Sequence, residues 1–165
     1  MFKKISMSAA ALAVMVLAAS PASAATVTPT GAVTLTINSV VTQSQTLNCS
    51  NTFSGTVNSN GTITVAANGK KLGTSGLCAS VTLNSDWVVT TGTYGSGSAP
   101  ISVTGITATT LFGTCTQGSA SVTGTWTNSP NGGTAAGTIP GTVFGFSAPC
   151  TISAAITSSP ALTVS

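Results

Sequence analysis

Val33-Thr34-Leu35-Thr36-Ile37 alternates apolar and hydroxyl side chains without a break. Successive side chains of an extended chain point to opposite faces, so Val33, Leu35 and Ile37 share one side and Thr34 and Thr36 the other. β-Branched residues at period two mark a strand buried on one face only. The same texture runs outward from this stretch: Phe53-Ser54-Gly55-Thr56-Val57, then Ile63 and Val65, Val81 and Leu83, Val122 and Trp126, Cys150 to Ile156, and Leu162 with Val164. Turn formers separate these runs. Asn60-Gly61 and Asn68-Gly69 flank the Ile63–Val65 strand with a dipeptide that takes the positive φ angles of tight hairpins. Two Gly-rich stretches, Thr91 to Pro100 and Asn128 to Gly137, read as loops. The pattern predicts an all-β domain, a two-sheet β-sandwich or barrel-like sandwich of about ten short antiparallel strands. Thr-x-Thr recurs, as at Thr34/Thr36 and Thr62/Thr64, but without the fixed period of a solenoid, so these residues read as ordinary solvent faces.

The chain opens differently. Lys3 and Lys4 precede an unbroken apolar run, Ala9 to Ala19; Ser20 and Pro21 end it, and Ala22-Ser23-Ala24 forms a small-x-small cleavage site. These three parts in this order predict a cleavable signal peptide over residues 1–24 and a single secreted β-domain over 25–165. The apolar run is shorter than the roughly 20 residues of a membrane-spanning helix. No later stretch is longer, so the cleaved protein is expected to carry no integral membrane segment. No Cys stands at the cut to accept a lipid. The expected destination is extracellular or the cell surface, with the periplasm as the alternative.

Charge is nearly absent from the expected domain. Of four lysines and one acidic residue in the chain, only Lys70, Lys71 and Asp86 lie beyond residue 24, and the sequence has no His. Nucleic acid as a partner is excluded on this ground, because neutralising phosphates takes a cluster of Lys or Arg. Acid–base catalysis by His or by paired carboxylates is excluded as well. No Ser-His-Asp triad can be assembled. Lys70 and Lys71 sit in an Asn-Gly-Lys-Lys turn with no Ser three residues before either, so they read as solvation of a turn and protection against strand-edge pairing. The protein is therefore expected to be no enzyme, with no metal and no cofactor. A near-neutral secreted β-protein associates readily, so self-association is an expected partner class. The segment Thr26 to Leu47 is a candidate for adding a strand to a neighbour's sheet.

Cys49, Cys78, Cys115 and Cys150 form an even set in an exported chain, which implies two disulfides. Three pairings are possible. The sequential one, Cys49–Cys78 with Cys115–Cys150, is favoured over the other two. Trp87, Trp126 and Tyr94 are the ligand-binding candidates, since an indole or phenol offers a broad apolar plane to a sugar or an alkyl chain. For the two Trp residues, core packing beside a disulfide is the stronger reading; Tyr94, in a Gly/Ser-rich stretch, is the better candidate for exposure.

Cys49-Ser50-Asn51-Thr52-Phe53-Ser54-Gly55-Thr56-Val57 is similar to a C-x-x-x-F-x-G-x-V segment, followed by Gly76-Leu77-Cys78, Trp87, Gly113-Thr114-Cys115, Val122-Thr123-Gly124-Thr125-Trp126 and Cys150-Thr151-Ile152. In these positions, from about Cys49 to Ile156, the chain resembles the secreted alkane oxidation protein activator family of Gram-negative bacteria, often called PraB. The resemblance implies an extracellular protein that promotes growth on hydrocarbons, and it carries no catalytic residues over. Its implied partners are hydrocarbon or cell-surface components. Three functional readings follow: a secreted accessory protein aiding hydrocarbon contact or uptake, a self-assembling surface or biofilm-matrix subunit, and a carbohydrate-binding module.

Overall fold

The computed structural model describes residues 25–165; the leader read at 1–24 lies outside the described residues. The strands are β1 (Val27–Thr28), β2 (Gly31–Thr42), β3 (Thr46–Val57), β4 (Ile63–Val65), β5 (Thr82–Leu83), β6 (Trp87–Thr91), β7 (Ser98–Thr104), β8 (Thr107–Thr109), β9 (Gly113–Thr116), β10 (Val122–Asn128), β11 (Asn131–Ile139), β12 (Gly141–Val143), β13 (Phe146–Ser147), β14 (Cys150–Ser159) and β15 (Thr163–Val164). A single 3₁₀ turn, Gly76–Ser80, interrupts them. Eight strands close into an antiparallel barrel in the order β10-β11-β14-β2-β3-β4-β6-β7, with β7 returning to β10. The all-β class holds, and of the two expected forms it is the barrel-like one. The strands outnumber the expectation because several, such as β5 and β13, are two residues long, too short for alternation to register.

The alternation that marks each strand also builds the barrel. Val33, Leu35 and Ile37 of β2, Phe53 and Val57 of β3, and Val65 of β4 are buried inside. Ile101 and Val103 of β7 and Val122 and Trp126 of β10 join them. Hydroxyls face outward, and some pair across strands, as Thr36 Oγ1 does with Thr52 Oγ1 at 3.5 Å. Apolar inside and hydroxyl outside is the reverse of a lipid-spanning barrel, whose outer belt is apolar. Among the described residues, no helix is long and apolar enough to cross a membrane.

The two ends are built differently. At one, β1 pairs with β15, and Val27, Leu162 and Val164 plug the opening. The Asn128 side chain clamps this plug: Nδ2 donates to Val164 O at 2.8 Å, and Val164 N donates to Oδ1 at 2.9 Å. At the other end, the connections β4–β6, β7–β10 and β11–β14 leave the barrel and return. Their short strands assemble a second sheet, β13-β12-β9-β8-β5, laid over the mouth as a lid. Each disulfide ties lid to barrel: Cys49 of β3 to Cys78 of the 3₁₀ turn, and Cys115 of β9 to Cys150 at the start of β14.

Two local expectations change. Asn128 to Gly137 is not a loop: β10 and β11 form a hairpin around Ser129 and Pro130, with Asn128 paired to Asn131. Its glycines serve close approach instead of a turn, since a Cβ at Gly133 would stand 2.8 Å from Cε3 of Trp126. The second stretch is shorter than expected, because β7 begins at Ser98 and leaves only residues 92–97 between strands. Within the barrel, β2 is paired with β3 from Gly31 to Thr42 on one side and with β14 from Thr34 to Thr42 on the other. In the segment Thr26 to Leu47, β1 pairs with β15 alone.

Candidate functional site

Among the described residues, the lid end gathers four of the five exposed large apolar side chains, the fifth being Val40 of β2. Two hairpin turns lie side by side there, because β9 pairs with β12 with Gly113 opposite Val143. One turn is Thr110-Leu111-Phe112 and the other Phe144-Gly145. Phe144 N donates to Phe112 O at 2.9 Å, and the two rings meet edge to face with centroids 6.0 Å apart. Leu111, Phe144 and Phe146 are 62 %, 75 % and 78 % exposed. Leu77, on the 3₁₀ turn at the same end, is also exposed. The β2–β3 turn completes the pole, with Gln43 Nε2 donating to the carbonyls of Thr114, Thr142 and Ala148 at 3.2, 3.0 and 3.2 Å. That one amide knits the hairpin turn to both lid hairpins and holds the apolar tips in a fixed arrangement.

Phe144 sits where its residue type is disfavoured. Its φ is +49° and that of Gly145 is +84°, both left-handed, as a two-residue type I′ hairpin turn requires. Asn or Gly suits the first of these positions; a bulky residue there costs roughly 1 kcal/mol. Beyond the edge-to-face contact with Phe112, the fold gives no use for a phenyl ring at a turn position three-quarters exposed to water.

The charged side chains of the described residues lie toward one edge of the lid. Lys71 lies beyond β5 through its bridge to Thr82, its Nζ donating to Thr82 Oγ1 at 2.7 Å. Asp86 accepts from Asn68 N at 3.0 Å on the same connection. β13 stands at the other edge of the lid, four strand spacings away, or roughly 19 Å.

Beneath the lid is a cavity of about 80 Å³ whose wall exposes no polar atom. Leu83 and Ala108 of the lid roof it; Leu35, Val65, Val103 and Ile156 of the barrel surround it. Leaving that volume unpacked costs about 2 kcal/mol at roughly 24 cal/mol per Å³. Trp87 and Trp126, two of the sequence-predicted candidates, both line it and are 8 % and 3 % exposed. Trp87 also packs on Phe53 with ring centroids 5.5 Å apart. Neither indole N–H has a hydrogen-bond partner, nor has the hydroxyl of Ser39; all three residues line the cavity, but none of these polar atoms is open to it. A buried unpaired donor costs roughly 1–3 kcal/mol. Tyr94 is elsewhere. It lies half-buried in the β6–β7 loop at the plugged end, its hydroxyl accepting from Asn128 Nδ2 at 3.3 Å. The structure thus brings the two Trp residues to one interior space and leaves Tyr94 apart from it.

Sequence reading passes over the residues that set this geometry. Gln117 is buried: its Nε2 donates to Val103 O at 2.6 Å and Ala120 O at 3.0 Å, and Ile106 N donates to its Oε1 at 2.9 Å. This single side chain fastens the lid excursion to β7. Leu111, Phe112, Phe144 and Phe146 carry one available signal: they break the Thr/Ser texture beside glycines, at Leu111-Phe112-Gly113 and Phe144-Gly145-Phe146.

Fold and pole together define a small disulfide-bonded β-barrel of the kind found in oxidising compartments, covered in hydroxyls and apolar at one end. The chain belongs to the alkane oxidation protein activator PraA/PraB-like family, whose model matches residues 1–165. No curated protein and no solved structure matches it.

Proposed function

We infer that the protein is an exported, non-enzymatic accessory factor that contacts hydrocarbon at the cell surface and aids its uptake. The observation that carries this reading is the apolar pole, with three large side chains mostly in water, two of them, Phe144 and Phe146, at the edge of the lid away from Lys71. Contiguous exposed apolar surface marks an interaction site. A phenyl edge set apart from the lysines suits an oil better than a charged headgroup or a nucleic acid. The strained placement of Phe144 supports the same reading, since a costly local conformation points to a role outside folding. Export rests on the leader read at residues 1–24 and agrees with two disulfides. The non-enzymatic role rests on a domain with three charged side chains and no His. "Activator" is then a physical effect on hydrocarbon access.

The test pairs fractionation with growth. A tagged strain should hold the processed protein outside the cytoplasm, and a deletion strain should grow more slowly on hexadecane but normally on a soluble carbon source. A processed protein confined to the cytoplasm, or equal growth of the deletion strain on hexadecane, overturns the reading.

A further inference from the structure

We propose that the barrel interior is a binding site for the end of one linear alkyl chain, admitted from the apolar pole. The inference deepens the reading of the pole as a hydrocarbon-contacting surface and rests on it for the direction of entry. A groove of about 30 Å³ opens at the pole beside Leu77, Leu111 and Phe112. It shares three wall residues with the interior cavity: Val41, Val81 and Thr110. Groove and cavity are therefore separated by one layer of side chains, two of them Val.

The cavity selects its occupant by chemistry. With no polar atom on its wall it does not hold ordered water, which requires two or more polar partners. A carboxylate or sugar hydroxyl would enter without a partner. Size selects too. An apolar cavity of about 150 Å³ accepts benzene, and this one, at about 80 Å³, is roughly half that. It takes the narrow terminus of an unbranched chain and leaves the remainder in the groove. Such a chain comes from an alkane or from the tail of a fatty acid, whose headgroup stays in the groove. Trp87 and Trp126, the chain's two tryptophans, both line the cavity and report on what enters.

The experiment titrates the oxidised protein, recovered after export, with n-hexane and with hexanoate in parallel, following indole emission. The proposal expects a saturable spectral change at one ligand per chain. Saturation by both ligands assigns the site to alkyl chains of either source, and saturation by hexane alone assigns it to uncharged ones. Saturation by hexanoate alone, or no change up to the solubility limit of hexane, overturns it. Ala135→Leu places a larger side chain into the cavity from β11 and should weaken the response at least tenfold while adsorption to hexadecane droplets persists. An undiminished response in that variant overturns the proposal. If circular dichroism shows it unfolded, Ala108→Val makes the same comparison from the lid. The paired change Phe144→Asn and Phe146→Ser should do the converse, reducing droplet adsorption and keeping the hexane end point. Loss of interior binding with adsorption intact refutes this site alone. Loss of adsorption in the wild type with interior binding intact refutes only the surface reading.

Discussion

Exchanging Phe144 for Asn and Phe146 for Ser separates what the pole does from what holds the fold. Fully burying a Phe side chain is worth roughly 1.5–3 kcal/mol. Since about three-quarters of each ring is in water, moving one into oil is worth roughly 1–2 kcal/mol, and moving both roughly 3 kcal/mol. At 1.4 kcal/mol per decade, the variant's affinity for a hexadecane droplet should fall by about a hundredfold. Stability should move the other way. Asn adopts the left-handed conformation that Phe144 holds at φ +49°, so an Asn-Gly turn should add up to roughly 1 kcal/mol. Depletion of protein from water by a graded emulsion measures the first quantity, and urea denaturation the second. An affinity within threefold of wild type would show that the phenyl rings do not make the contact. A loss of more than about 1 kcal/mol in stability would show that they belong to the fold.

Four further outcomes follow from the lid, its seams and the barrel wall. Replacing Cys115 and Cys150 by Ser opens a loop of sequence separation 35, and urea midpoints should report a loss of roughly 3–4 kcal/mol. The corresponding Cys49 and Cys78 variant, with separation 29, should lose nearly as much, because loop entropy grows only with the logarithm of length. Gln117→Leu removes the acceptor of Ile106 N–H and the amide that donates to Val103 O and Ala120 O; it should cost roughly 2–5 kcal/mol by the same measurement. Gly133→Val drives a side chain into Trp126, whose Cε3 would be 2.8 Å from the new Cβ. It should lower stability by more than about 2 kcal/mol and shift the indole emission, and an unchanged spectrum would contradict the packing described.

The barrel wall was legible because its signal is local. Val33, Leu35 and Ile37 point inward for the reason their spacing gives, and so do Phe53, Val57 and Val122. Closure was not legible, since a sandwich and a barrel impose the same alternation on each strand and differ only in whether β7 finds β10. The lid escaped for a second reason. Its strands are two to four residues long, too short for alternation to register, and they are tied in by contacts distant in sequence, from the disulfides, Gln43 and Gln117. Composition misled at Asn131-Gly132-Gly133, where glycine answers to the bulk of Trp126 across the strand pair. Of the site, Trp87 and Trp126 were found as aromatics, and their shared cavity needed the fold. Phe144 and Phe146 were passed over because two hairpins far apart in sequence bring them beside Leu111.

The distribution of polarity gives the molecule a direction. β2 alone runs twelve residues, or about 40 Å along the strand. It separates a plugged end, held by Asn128 hydrogen bonds, from an end that exposes Phe and Leu. Hydroxyls along the wall bind water without charge, so attraction to the oil is not opposed by the desolvation of ions at the rim. Adsorption driven this way is hydrophobic and not electrostatic. Raising ionic strength from 0.01 to 1 M shortens the Debye length from about 30 to about 3 Å and would alter any contact made through Lys70 or Lys71. Droplet affinity should therefore hold or rise with added salt. A fall of tenfold or more over that range would move the contact from the phenyl pole to the two lysines at the opposite edge of the lid.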